Sequence, residues 1–208
     1  MSQYNTIDNL MKQAGLTSLT ELDPSIVVDV KYATPDNFTG KILYAESFGV
    51  FLQKDLAEAV VKANHRLQKL YPSRRIVIFD AARPVSVQKK MYDLVKGTDQ
   101  EPYIANPYGE FPGGFHNYGL AVDLSIIDLD KGLLDMGTDY DSFSPLAHVG
   151  NEREMVIEGK ISIDAYSNRM VLYSLMGEVG LLPHPNEWWH YQSDYREDSK
   201  GGFLLLDF

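Results

Sequence analysis

Two short segments, far apart in the chain, carry residue types that could bind a metal ion. The first follows Gly113 and contains His116 and Asp123, and the second contains Glu187 and His190. Together they offer two imidazoles, one carboxylate ligand and one spare carboxylate. A catalytic zinc site needs this set: three protein ligands, an open position for water, and a glutamate that can move the water's proton.

The spacing within each segment predicts irregular backbone. His116 and Asp123 are seven residues apart, an odd interval that would place them on opposite faces of one flat strand. Both can face one metal ion only if the chain bends, and Gly119 permits such a bend. We therefore predict His116 at the end of a loop and Asp123 within a strand. Glu187 and His190 are three apart, so we expect a loop or a bulged strand to carry both.

Each segment also has an ordinary structural interpretation. His116 and Asp123 could be a surface histidine and a strand-end aspartate. His190 could be a hydrogen-bonded histidine in a core segment, because the chain's two tryptophans immediately precede it. If the metal site exists, we expect these tryptophans to fix the imidazole and exclude water. His184, between two prolines, is the main alternative to His190 as a ligand.

Arg83 is a candidate for stabilising negative charge. It follows a run predicted to be a buried strand and precedes Pro84, which restricts its own φ and the residue before it. A guanidinium held so rigidly could stabilise the oxyanion of a tetrahedral intermediate, although an arginine at a strand end is also common in surface salt bridges. Asp80 could orient it or could be a turn residue. The sequence has no Gly-x-Ser-x-Gly elbow, P-loop or His-Glu-x-x-His motif.

Composition limits the class of protein. The chain has 208 residues, of which 44% are hydrophobic, and this predicts one domain with one substantial core. A net charge of −10 argues against a nucleic-acid surface, and the absence of cysteine means that any zinc must be held by His, Asp or Glu. No apolar run approaches the roughly 20 residues of a membrane span. Because the start lacks signal-peptide features, we expect a cytoplasmic protein, or a periplasmic or lipid-anchored one if a leader has been removed.

Hydrophobic periodicity and turn residues predict an α+β fold. Helices are expected at 5–15, 53–70, 86–95 and 163–179, and strands at 26–32, 75–80, 120–127, 188–192 and 203–208. The stretch 97–114 contains three prolines and is predicted to be a loop, of the length that is often functional in compact domains. We expect residues 1–208 to form a single domain, with helices packed on a largely antiparallel central sheet.

Three motifs in this order resemble the zinc D-alanyl-D-alanine dipeptidases of the vancomycin-resistance type, a branch of the family that includes D-Ala-D-Ala carboxypeptidases. The pattern S-x-H-x-x-G-x-A-x-D is matched by His116, Gly119, Ala121 and Asp123, the pattern E-x-x-H by Glu187 and His190, and the pattern D-x-x-R-P by Asp80, Arg83 and Pro84. Further likeness lies in Tyr32–Gly40 and Asp135–Asp141, so that the resemblance runs from about residue 25 to residue 192.

The resemblance implies a ligand set and roles for the remaining residues. His116, Asp123 and His190 would bind Zn2+, Glu187 would act as general base and then general acid, and Arg83 would assist at the transition state. The implied reaction is zinc-dependent hydrolysis of D-Ala-D-Ala or a close relative, a small peptide substrate.

Specificity follows less directly from the resemblance. Gly114 stands where the family pattern has serine. The resemblance implies that the hydroxyl of this serine contacts the substrate, a contact that glycine cannot make. Asp139 or Asp141 could receive the substrate's ammonium group. One alternative is a carboxypeptidase that trims D-Ala from peptidoglycan stem peptides. A second is a non-catalytic zinc-binding module, against which the presence of both Glu187 and Arg83 argues.

Overall fold

The computed structural model describes residues 7–44, 48–110, 112–193, 200 and 202–208. Its helices are α1 (Ile7–Gln13), α2 (Leu19–Leu22), α3 (Lys54–Leu70), α4 (Val85–Val95), α5 (Glu152–Ile157) and α6 (Ile163–Glu178). Its strands are β1 (Thr17–Ser18), β2 (Val27–Val28), β3 (Phe51–Leu52), β4 (Arg74–Asp80), β5 (Ala121–Asp128), β6 (Gly132–Leu133), β7 (Leu182–His184) and β8 (Glu187–Gln192). Short 3-10 turns include Lys31–Ala33 and Phe115–Tyr118.

The main sheet has the strand order β2-β4-β5-β8-β7, with β6 paired to β5. Only β2 and β4 run parallel, and the other neighbours in this sheet are antiparallel. β1 and β3 form a separate antiparallel pair. The predicted α+β class with a largely antiparallel sheet is therefore confirmed.

The core lies between this sheet and the two longest helices, α3 and α6. Along α3, Leu56, Val60, Ala63 and Leu67 recur every three or four residues and are buried, because this spacing puts them on one face of a helix. In β4, the run from Ile76 to Asp80 is buried on both faces. Full burial of each large aliphatic side chain contributes about 1.5–3 kcal/mol, so this packing fixes β4 and β5 as a rigid base for the loops that follow them.

One predicted strand is much shorter than expected, a second is absent, and one predicted helix lies only partly within the described residues. The run 26–32 forms just the two residues of β2, because the chain leaves the sheet at a 3-10 turn that buries Tyr32. Residues 203–208 form no strand. Instead, the backbone of Leu206 bonds to that of Asn117 and Val85, which are not part of a sheet edge. The predicted helix 5–15 is seen from Ile7, and residues 5 and 6 lie outside the described residues.

The remaining long elements agree with their predictions to within one or two residues. They are α3, α4, α6, β4, β5 and β8. No helix in the described ranges has both the length and the apolar character required to cross a bilayer.

Candidate metal centre

Three side-chain atoms converge where the interior strands β5 and β8 pair: His116 Nε2, Asp123 Oδ1 and His190 Nδ1. The two imidazole nitrogens lie 3.1 Å apart, and the carboxylate oxygen lies 3.2 Å from His116 Nε2 and 3.1 Å from His190 Nδ1. Ligand atoms at zinc-like bond lengths on a tetrahedral ion are about 3.3 Å apart, so this triangle matches one face of such a tetrahedron. All three side chains are buried.

Asp123 Oδ1 supports the same interpretation. It is buried and accepts no hydrogen bond of acceptable geometry within the described part of the chain, although two imidazole nitrogens face it. A buried carboxylate oxygen without a partner is costly, and a cation between the three atoms would remove that cost. Two imidazoles and one carboxylate are also a donor set that zinc accepts. The residues therefore fit a zinc ion.

Local structure explains how His116 and Asp123 meet. His116 lies in the 3-10 turn Phe115–Tyr118, and its Nδ1 is 2.7 Å from the carbonyl oxygen of Ala81. If Nδ1 donates to that carbonyl, Nε2 is left as the lone-pair nitrogen that points at the other two ligand atoms. Gly119 then turns the chain into β5 with φ of 70°, a left-handed conformation that glycine adopts without strain. This is the predicted arrangement of a loop histidine, a bend and a strand aspartate.

Strand register brings Asp123 and His190 together. The two residues are directly paired across β5 and β8, so their side chains stand on the same face of the sheet. Asp80 joins the same row because the β4–β5 ladder has an irregularity between Ile78 and Asp80. Regular pairing would place Phe79 opposite Asp123, whereas the bulge places Asp80 there. One row across three strands thus carries two candidate ligands and a carboxylate.

Glu187 stands beside this triad without belonging to it. Its Oε2 lies 3.6 Å from His190 Nδ1. A residue three positions from His190 reaches the same side because the β7–β8 pairing is irregular at Pro183–His184, opposite Glu187. Burial raises the pKa of Glu187 to about 7, with the neighbouring positive charge of His190 opposing the shift. A carboxyl group with this pKa can both accept and donate a proton near neutral pH.

Arg83 is buried and tightly held, which excludes the surface salt bridge considered above. Its Nε and Nη2 donate to Asp80 Oδ2 at 2.8 and 2.6 Å, and its Nη1 donates to Gln88 Oε1 at 2.8 Å. Its backbone N–H donates to the carbonyl of His116, which ties the arginine to the 3-10 turn. Burial disfavours the charged guanidinium and lowers its pKa. The negative charge of Asp80 and smaller contributions from nearby tyrosines together have the larger effect, so the pKa of Arg83 lies well above its usual range. Asp80 therefore orients a permanent cation next to the triad, where Nη2 is 3.8 Å from Asp123 Oδ2.

These side chains open into a cavity of about 740 Å³. Much of one wall comes from the predicted loop 97–114, through residues between Pro102 and Gly114. A Cβ on Gly114 would lie 3.2 Å from the Cβ of Ala105, closer than ordinary contact, so a side chain at position 114 would require a small shift of this loop.

The structure separates the two aspartates considered for an ammonium group. Asp141 lines this cavity, whereas Asp139 lines a neighbouring one. Asp141 accepts hydrogen bonds from the Tyr32 hydroxyl at 2.9 Å and from the backbone N–H of Phe38 at 3.2 Å. Burial raises the pKa of Asp141 to about 7 despite these bonds.

His184 also lines the cavity, with its ring centroid 5.4 Å from that of His190. Its ring is not part of the converging group of three ligand atoms. Burial, together with the charge of His190, lowers the pKa of His184 to about 4, so it is neutral at pH 7.

Sequence reasoning missed three residues of the site. Gln88 holds Arg83, and the Tyr140 hydroxyl donates to Asp123 Oδ2 at 2.8 Å. Lys200 is buried against the cavity, and its Nζ donates to the carbonyl of Gly113 at 3.1 Å. Tyr140 lies inside Asp135–Asp141, one of the segments in which the sequence resembles the family. Its hydrogen bond to Asp123 depends on the tertiary fold, so the sequence did not indicate it. No local pattern marks Gln88 or Lys200.

Comparison with known proteins gives a consistent family. The model of the peptidase M15 family described as "D-ala-D-ala dipeptidase" matches residues 12–198. The D-alanyl-D-alanine dipeptidase of Escherichia coli K12 is 28% identical over 177 residues, which are 85% of this chain and 83% of that protein. The enzyme of the same name from Enterococcus faecium is 30% identical over 197 residues, which are 86% of this chain and 91% of that protein.

A solved structure of the vancomycin-resistance D,D-pentapeptidase VanY in complex with Zn(II) is also similar. It aligns with a TM-score of 0.39 and 16% sequence identity over 76% of this chain and 81% of that chain.

Proposed function

This chain belongs to the D-alanyl-D-alanine dipeptidase family of M15 peptidases, and on that premise we propose that it hydrolyses the free dipeptide D-Ala-D-Ala at a zinc centre. The observation that carries the proposal is the convergence of His116 Nε2, Asp123 Oδ1 and His190 Nδ1, with Glu187 3.6 Å from one of them. A structural zinc site would normally have a fourth protein ligand and would need no adjacent carboxyl group.

His116, Asp123 and His190 would hold the ion. When bound, zinc supplies a Lewis acid that polarises a carbonyl and lowers the pKa of a coordinated water towards about 7. The chain's own residues supply proton transfer, charge stabilisation and binding of the substrate ends.

Glu187 is the proton carrier of this proposal. Its raised pKa, about 7, means that it takes the proton of the attacking water without becoming too weak an acid to return it. In peptide hydrolysis the nitrogen leaves as an amine and needs that proton. One carboxyl group beside the triad can therefore serve both halves of the reaction.

Arg83 stabilises the developing oxyanion. Its guanidinium is oriented before substrate arrives, by Asp80 on one side and Gln88 on the other, so no reorganisation is needed during the reaction. Because Asp80 neutralises part of its charge, the guanidinium is retained in the buried site at a lower desolvation cost.

Asp141 is the proposed partner of the substrate's ammonium group. It is the one of the two candidate aspartates that lines the cavity with Glu187 and Arg83. A free ammonium would meet a carboxylate already oriented by Tyr32 and Phe38. An N-acylated peptide cannot make this ion pair, so Asp141 favours a free dipeptide over a stem peptide.

The direct test measures the release of free alanine by the zinc-loaded protein from three peptides: D-Ala-D-Ala, L-Ala-L-Ala and an acyl-D-Ala-D-Ala. Rapid cleavage of the free D,D-dipeptide alone, abolished in Glu187→Ala, is the expected result. Preference for the acylated peptide would instead make the protein a carboxypeptidase. Stoichiometric zinc binding without turnover of any of the three would indicate a non-catalytic module.

A further inference from the structure

The two carboxylate oxygens of Asp123 have different surroundings. Oδ1 faces His116 and His190. Oδ2 accepts a hydrogen bond of 2.8 Å from the Tyr140 hydroxyl and lies 3.8 Å from Arg83 Nη2. The donor on Oδ2 thus leaves Oδ1 as the oxygen directed towards the other two ligand atoms.

Tyr140 is itself fixed by the surrounding aromatic rings. Its ring centroid lies 5.1 Å from that of Phe79, 5.3 Å from that of Trp189 and 6.0 Å from that of Tyr32. Edge-to-face and tilted contacts of this kind stabilise one ring orientation. The hydroxyl is therefore aimed at Asp123 by packing, independently of the hydrogen bond.

The chain on either side of Tyr140 is also anchored. Two residues earlier, Thr138 Oγ1 accepts a hydrogen bond of 2.8 Å from Trp188 Nε1. One residue later, Asp141 is bonded to Tyr32 and Phe38. The segment 138–141 is therefore hydrogen-bonded at one end to Trp188, on the strand that carries His190, and at the other end to Tyr32 and Phe38. Tyr140 lies between these two anchoring points.

We propose that Tyr140 is a positioning residue for the metal centre: its hydroxyl holds Oδ2 of Asp123 so that the carboxylate presents only Oδ1 to the ion. The inference rests on the zinc site of the proposed function. Carboxylates bind metal ions through one oxygen or both. If both oxygens of Asp123 bound, the second would occupy coordination space that a catalytic site keeps open for water.

Tyr140→Phe tests this by removing one oxygen atom while keeping the ring. The matched control is Tyr173→Phe, because the Tyr173 hydroxyl also donates to a buried carboxylate, Glu152 Oε1, at 2.8 Å, and neither residue lines the cavity that contains the triad. Zinc affinity is measured by competition with a chromophoric chelator. We expect Tyr140→Phe to bind zinc 10- to 100-fold more weakly than wild type, the usual effect of losing a partner of a metal ligand, and Tyr173→Phe to match wild type.

The visible spectrum of the cobalt-substituted proteins is the second readout. Four-coordinate Co(II) absorbs more strongly than five-coordinate Co(II), so we expect the bands of Tyr140→Phe to weaken as Asp123 gains a second bond to the ion. A general loss of stability would not change this spectrum. The rise in Tm on adding zinc is also compared within each variant, so that a difference between the metal-free proteins cancels.

The outcomes separate this inference from the proposed function. Wild type that binds zinc and cleaves D-Ala-D-Ala, together with a Tyr140→Phe variant of equal zinc affinity and identical cobalt spectrum, would overturn the role of Tyr140 alone. Equal losses in Tyr140→Phe and Tyr173→Phe would show a structural effect and overturn it as well. Wild type that binds no zinc would overturn the zinc centre itself.

Discussion

Replacing Glu187 with glutamine is the sharpest test of the proposed mechanism. Glutamine has the same shape but cannot accept a proton, so the variant should lose the proposed proton transfer while the three proposed ligand atoms stay in place. The one ion-pair contact of Glu187 among the described residues is the 3.6 Å approach to His190, which leaves little structure to disturb. General acid–base catalysis contributes about 10²–10⁴-fold, so we expect kcat for D-Ala-D-Ala to fall by about 10³, or ~4 kcal/mol.

The same substitution should stabilise the metal-free protein at high pH. The folded-state pKa of Glu187, about 7, lies above the ordinary 4.5, so its contribution to stability is fully present below pH 4.5 and is lost as the pH rises through 7. Glutamine does not ionise and escapes this loss. The unfolding free energy of the metal-free variant, relative to that of metal-free wild type, should therefore increase by on the order of 2–3 kcal/mol as the pH rises from 5 to 8.

Both effects can be measured on one pair of proteins. Kinetics with zinc-loaded enzyme at saturating D-Ala-D-Ala gives kcat, metal analysis confirms one zinc per chain, and urea unfolding of the metal-free proteins at several pH values gives the stability difference. Glu110→Gln is the control, since it removes a carboxylate from the same cavity at an exposed position. A loss of less than 10-fold in Glu187→Gln with zinc retained would refute the role of Glu187.

Three further predictions concern other parts of the site. Arg83→Lys keeps the charge but loses the fork that bonds Asp80, so kcat should fall about 10²-fold with little change in KM, and steady-state kinetics showing full activity would contradict the assigned role. Gly119→Ala should lower the free energy of unfolding in urea by about 2–3 kcal/mol, because φ is 70° and the new Cβ would meet Leu16 at 2.7 Å. Its control, Gly132→Ala, has φ of 91° but open space and should cost only about 1 kcal/mol, so equal losses would exclude the clash. Asp141→Asn should raise KM for the free dipeptide about 10-fold or more and leave an N-acylated peptide unaffected, and a parallel rise for both peptides would show that Asp141 does not bind the ammonium.

Local sequence patterns predicted the long helices and strands, because the spacing of apolar residues along each of them marks the face or the run that is buried. The periodicity of α3 marks its buried face, and the turn at Gly119 follows from the odd spacing of His116 and Asp123. The run 26–32 has the composition of a strand, yet only Val27 and Val28 pair with β4, because burial of Tyr32 in a turn outweighs strand propensity. Contacts such as Tyr140 to Asp123 join residues of separate segments, and no local pattern encodes them.

The candidate site depends on sheet register more than on any single loop. Asp80, Asp123 and His190 stand in one row across β4, β5 and β8, and the row exists only because the bulge at Phe79 inserts one residue into β4. A one-residue slip of any of these strands would turn its side chain to the opposite face. Such a slip in β8 would remove the proposed ligand His190, and in β4 it would remove the carboxylate of Asp80 that orients Arg83. The hydrophobic residues that alternate with this row, such as Val122 and Leu124, therefore set the register on which the chemistry depends, and core substitutions there should affect zinc binding together with stability.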